Sequence, residues 1–158
     1  GISMSVNFYN AGMNAFEAGN YKEAFDFLIQ DDQDPRCAFA LGVLYYNGQG
    51  VERNFKLSTK YYTLAADAGI VPAQVSAGFA YANAMGVPED FDKAVHYLRQ
   101  AAAVGEAAAQ VTLAEIYAKG YEGGSIKEAA ELIRNVLAQA PNSEEAQDVY
   151  SRYQLHLY

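Results

Sequence analysis

The chain has 158 residues, 51% hydrophobic and 19% charged, with 13 Tyr and 8 Phe; that content suits one folded domain with a buried core and excludes a disordered chain. Its net charge of -8 repels phosphate backbones and anionic headgroups, which argues against nucleic acid and anionic membrane as partners. The single cysteine excludes a disulfide framework, and no apolar run approaches the ~20 residues of a membrane span.

Gly1-Ile2-Ser3 ahead of Met4 reads as a vector remnant, so one repeat domain is expected over 4–158. The opening residues carry no basic and apolar leader. The expected location is cytoplasmic, or exported if the chain is a trimmed piece.

Self-similarity dominates the middle of the chain. Gly42, Tyr45, Gly50, Val51, Tyr61, Ala65, Ala66 and Gly69 return 36 residues later as Gly78, Tyr81, Gly86, Val87, Tyr97, Ala101, Ala102 and Gly105. Asn20, Asn54, Asp90 and Ser125 are helix-capping residue types spaced by 34, 36 and 35, and a side-chain oxygen at each can bind the free N–H groups of a first turn. Asn20 and Ser125 also have Glu23 and Glu128 three residues on, the spacing of a capping box. After each cap come a large apolar residue (Tyr21, Phe55, Phe91, Ile126), a small one (Ala24, Ser58, Ala94, Ala129) and a bulky pair (Phe27-Leu28, Tyr61-Tyr62, Tyr97-Leu98, Leu132-Ile133). That stripe is one face of an amphipathic helix. The preceding helix of each unit carries a small residue at a matching place: Gly12, Gly42, Gly78 and Ala114. Glycine inside a helix costs roughly 1 kcal/mol against alanine, so close helix packing is its natural reason.

Nine helices are predicted, over 5–18, 21–30, 36–47, 55–68, 72–84, 91–104, 108–119, 126–139 and 143–155. They group into units at 5–34, 35–70, 71–106 and 107–141, with a cap helix in 142–158. A helix pair that buries its apolar face only against neighbouring pairs builds an α-solenoid. The expected fold is all-α, a right-handed solenoid superhelix.

Residues 38–51, AFALGVLYYNGQGV, followed by Lys93-Ala94-Val95-His96-Tyr97 and Ala101-Ala102-Ala103-Val104-Gly105 one unit on, resemble the Sel1-like repeat. That family is the longer-looped relative of the tetratricopeptide repeat, which the first unit resembles through Gly12, Gly19, Tyr21, Ala24 and Leu28. The last unit drifts the same way and has Ala114 in place of the repeat glycine. The resemblance implies a bacterial adaptor that binds protein or peptide segments on its concave face, in signalling, regulation or secretion.

By register, Leu41, Leu44, Tyr45, Tyr81, Leu113 and Tyr117 pack inward. The adjacent stripe is expected to look into the groove: Tyr9, Met13, Phe16, Phe39, Val43, Tyr46, Asn47, Val75, Phe79, Asn83, Val111, Glu115 and Lys119. Aromatic anchors there would suit an apolar partner segment, or would fill a tight superhelix. Asn47 and Asn83 match in register; each either caps its helix or binds the backbone of an extended peptide. Tyr150, Tyr153, Leu155, Leu157 and Tyr158 form an apolar tail, which either folds back on the last unit or mediates a homodimer.

No enzyme signature appears. Gly120 to Ser125 lacks the lysine of a phosphate loop. His96 and His156 belong to no metal-spaced cluster, and His96 reads as solvated. Cys37 starts a helix, where a thiol can be activated, but its register mates are Ala73 and Ala109, which favours a buried packing role. The acid run Asp31-Asp32-Asp34 reads as a solvated turn. No cofactor is expected.

Overall fold

The computed structural model describes residues 6–158; the expected vector remnant and Met4 lie outside them. Among the described residues there are nine α-helices and no strand. They are α1 (Phe8–Glu17), α2 (Tyr21–Leu28), α3 (Pro35–Asn47), α4 (Phe55–Asp67), α5 (Val71–Ala82), α6 (Phe91–Ala103), α7 (Ala107–Ala118), α8 (Ile126–Gln139) and α9 (Glu144–Arg152). Short 3₁₀ turns follow α2 (Ile29–Asp31) and α9 (Leu155–Leu157). Each odd helix from α1 to α7 packs on the even helix after it, and each even helix on the next odd one. The first helices also touch along one side, α1 on α3, α5 on α7 and α7 on α9. The result is an α-solenoid with the first helices on its inner face.

The first helix starts at Phe8, later than expected, because Asn7 caps it by accepting the Asn10 amide at 2.9 Å. Asn54, Asp90 and Ser125 cap their helices as the spacing suggests. Asn20 does not: its side chain makes no capping bond. The box at Ser125 is also incomplete, since the hydroxyl takes the Glu128 amide at 3.1 Å and donates to the Glu128 carboxylate at 3.2 Å.

The small first-helix residues act as notches. A Cβ on Gly12 would lie 2.6 Å from the Leu28 side chain, one on Gly42 2.5 Å from the Tyr62 ring, and one on Gly78 2.6 Å from Leu98. Each bulky side chain fills the space where its partner helix has none. Ser58 tightens the middle hairpin by donating to the Gly42 carbonyl at 2.7 Å.

Neighbouring hairpins are joined by a second repeated device. The Tyr61 hydroxyl donates to the Asp32 carboxylate at 2.8 Å, and Tyr97 donates to Asp67 at 2.6 Å. The two tyrosines stack on Tyr45 and Tyr81, with ring centroids 5.9 and 6.2 Å apart. Gly50 and Gly86 press onto the preceding unit: a Cβ on Gly50 would come within 2.3 Å of the Tyr21 backbone, and one on Gly86 within 2.3 Å of the Lys56 amide. Both hold a φ of +71°.

The tail folds back. Gln154, at φ +52°, ends α9 and turns the chain so that Leu155 is fully buried against the last core cluster, with Tyr150 and Tyr153 packed beside it. Leu155 is therefore not available to a second chain; Leu157 and Tyr158 remain 64% and 50% exposed.

Two substitutions follow. Gly50→Ala meets backbone and a left-handed φ together, and should cost roughly 2–4 kcal/mol. Ala84, exposed at φ +53°, stands 36 residues after the glycine of φ +65° at 48; Ala84→Gly should stabilise by about 1 kcal/mol. Urea midpoints measured on both variants check the two signs.

Candidate binding cleft

The end of α3, the first half of α4, α5, α7 and the start of α9 line a cleft of about 610 Å³. Its walls are Tyr46 from α3, Phe55 and Tyr62 from α4, Val75 and Phe79 from α5, Met85 from the loop after α5, and Ala107, Ala108 and Val111 from α7. Ser143 and Glu145 close the α9 end. Phe79 is 45% exposed, the highest value among the large apolar residues of the helices. The volume falls in the ~300–1,000 Å³ range of ligand-binding clefts.

Three of the hydroxyls in the walls are committed to the fold. Ser58 donates to Gly42, Thr59 to the Met85 carbonyl at 2.7 Å and Thr112 to the Ala108 carbonyl at 2.9 Å. They leave only acceptor lone pairs toward the cleft. Burial pushes the Tyr62 phenol up to about 12, so it stays neutral. Tyr61 and Tyr97 are raised as well, by burial first and then by their bonds to Asp32 and Asp67.

Of the thirteen groove residues expected from the sequence, Tyr46, Val75, Phe79 and Val111 meet in this cleft. Tyr9, Met13, Phe16, Phe39 and Val43 are half-buried and pack against the first core cluster. Arg36 lies 4.3 Å over the Tyr9 ring, Phe16 meets Tyr21 edge-on at 5.4 Å, and Phe39 leans on Tyr62 at 5.8 Å. Asn47 donates to the Gln49 side chain at 3.3 Å, and Asn83 ends α5 by donating to the Phe79 carbonyl at 2.9 Å. Glu115 pairs with Lys119 at 3.5 Å and with Arg152 of α9 at 3.2 Å. These charges tie α9 to α7.

Phe55, Tyr62 and Met85 were hidden from the stripe argument because they do not belong to first helices. The signal for Tyr62 was available: it faces the notch glycine Gly42. Ser143 and Glu145 follow from treating α9 as another first helix, one unit after Ala107 and Ala108.

Catalytic groupings are sparse. Among the described residues, one set of possible metal ligands clusters, Asp31, Asp34 and Cys37, with ligand atoms within 4.8 Å of one another. Asp34 is occupied: it caps α3 and pairs with Arg36 at 3.0 Å, which holds its carboxyl below the usual range. Burial pushes the Cys37 thiol up to about 11. His96 is exposed and lies 3.2 Å from the Gln100 amide. No described helix is long and apolar enough to cross a membrane.

A thiol that is both buried and above its ordinary pKa should not react. Ellman's reagent at about pH 8 should leave native Cys37 untouched over minutes and label it fully in guanidinium. Rapid native labelling would contradict the packing role.

Two stretches, 35–70 and 71–106, match the Sel1 repeat model. The fold resembles a Sel1 repeat protein from Oxalobacter formigenes at a TM-score of 0.72 and 26% identity, over 85% of this chain and 55% of that one. It also resembles c5321, a protective antigen of uropathogenic Escherichia coli with an SLR fold, at a TM-score of 0.77 and 22% identity, over 93% of this chain and 37% of that one. The chain thus spans 55% and 37% of the lengths of these two structures. A search of curated proteins finds no significant match. Sel1-like repeats generally serve as protein-interaction scaffolds. Two Sel1 repeats thus lie at the centre of this chain, and the helical stacking around them is similar to that of these Sel1-type structures.

Proposed function

We propose that the chain is a non-catalytic adaptor that holds a peptide or protein segment in its concave cleft, in bacterial signalling, regulation or secretion, in the cytoplasm. The observation that carries this reading is the cleft itself: an open, aromatic-walled trough spanning four first helices, with Phe79 exposed at its centre. A side chain of that size left half in water is an unused anchor for an apolar group. The two similar structures come from bacteria, which supports a bacterial setting. Of the thirteen groove residues, we assign direct contact to Tyr46, Val75, Phe79 and Val111, and a supporting place behind the cleft to Phe39.

Phe79→Glu tests the assignment. The site is half exposed, so the fold should survive, with a melting temperature within a few degrees of the parent. Affinity for peptides selected against the parent chain should fall more than about tenfold, since a buried charge opposes an apolar anchor. Unchanged affinity, read by fluorescence polarisation, would remove the cleft from the binding account.

A further inference from the structure

The cleft runs diagonally. Each even helix turns back on the odd one before it, so α3, α5, α7 and α9 point the same way. The walls draw Tyr46 from near the end of α3, Val75 and Phe79 from the middle of α5, Ala107 and Val111 from the first half of α7, and Glu145 from the start of α9. One end therefore lies by the loop after α3, the other by the starts of α7 and α9.

The charged side chains nearest the cleft walls differ in sign at the two ends, with Glu52 beside Arg53 in the chain. At the first, the Arg53 guanidinium sits 4.2 Å over the Phe55 ring and 6.0 Å from the Tyr46 ring, both cleft walls. At the second, Glu145 lines the cleft, with Glu144 beside it and Glu106 at the start of α7. The positive ends of α7 and α9 offset about half a charge each, so three carboxylates leave that end acidic. Neither Arg53 nor any of these three carboxylates has an ion-pair partner among the described residues. Glu115, Lys119, Asp148 and Arg152, by contrast, neutralise one another. The walls between the ends are mostly apolar and carry no charged side chain.

We infer that the bound segment is bipolar: an acidic group toward Arg53, a basic group toward Glu145, and bulky apolar side chains between them. This rests on the cleft reading above. Three helix spacings of ~8–10 Å separate the ends, and the diagonal adds to them, so an extended occupant at ~3.3 Å per residue needs at least about eight residues. Charges at a rim fix register and direction more than they add affinity.

A random dodecapeptide library displayed on phage supplies the test. Selection is run in parallel on the parent chain and on the double variant Arg53→Glu/Glu145→Lys, both checked for helicity by circular dichroism. The parent should enrich apolar peptides with an acid at one end and a Lys or Arg at the other. The variant should enrich the inverted order. A synthetic peptide from the parent pool should bind the variant about tenfold more weakly, and its charge-inverted version should recover that loss. Identical pools, or apolar peptides without charged ends, overturn the inference and leave the cleft reading standing. Peptides that bind Phe79→Glu as well as the parent, or no enrichment at all, overturn the cleft reading and the inference with it.

Discussion

The fold depends on a side chain occupying space that its partner helix has vacated. Leu28 over Gly12, Tyr62 over Gly42 and Leu98 over Gly78 close three hairpins in the same way. Interiors pack at crystal-like density, so a missing Cβ opposite a large side chain is a matched pair and not a void. The glycine costs helix propensity, which the buried side chain more than offsets: Leu28 and Leu98 are fully buried. In the last unit Ala114 stands in place of glycine and shares a fully buried cluster with Ile133.

Stacking the hairpins needs a different interaction, because one closed hairpin still has an unburied side. Here the tyrosine–aspartate bonds matter. Each joins a second helix to an acid left at the end of the preceding unit, and the stacked rings of Tyr45–Tyr61 and Tyr81–Tyr97 lie beside them. Desolvation keeps these phenols protonated, so they remain donors at any ordinary pH. The loop glycines bring backbone onto backbone at the same junctions. Repetition of both devices at a 36-residue interval gives each unit a similar step, and a row of similar steps leaves the inner helices side by side. The cleft is a consequence of that row.

The periodic parts of this architecture were legible in the sequence. Period 36, cap residues and the small–large alternation are local signals, and the helices lie within a few residues of where they place them. Asn20 shows the limit: a capping residue type at the right spacing need not turn its side chain to the helix. The cleft was legible only in part. A single-stripe argument finds Tyr46, Val75, Phe79 and Val111, but extends the same stripe to Tyr9, Met13 and Phe16, which the first unit uses for packing. Curvature decides which stretch of a periodic face stays open, and curvature is set by all the junctions together. Glu115 lies on the right helix, yet its carboxylate is shared between Lys119 and Arg152 of α9. At the tail the sequence left folding back and pairing with a second chain both open; a left-handed turn at Gln154 carries Leu155 into the core.

The central claim is that the inner face, built from first helices, is the surface that receives a partner. Amide chemical-shift mapping of the isotope-labelled chain against a tightly selected peptide measures this directly. The account predicts perturbations concentrated on the end of α3, the first half of α4, α5, α7 and the start of α9, with α6 and α8 nearly silent. Shifts clustered on α6 and α8, with the residues around Phe79 unmoved, would contradict it.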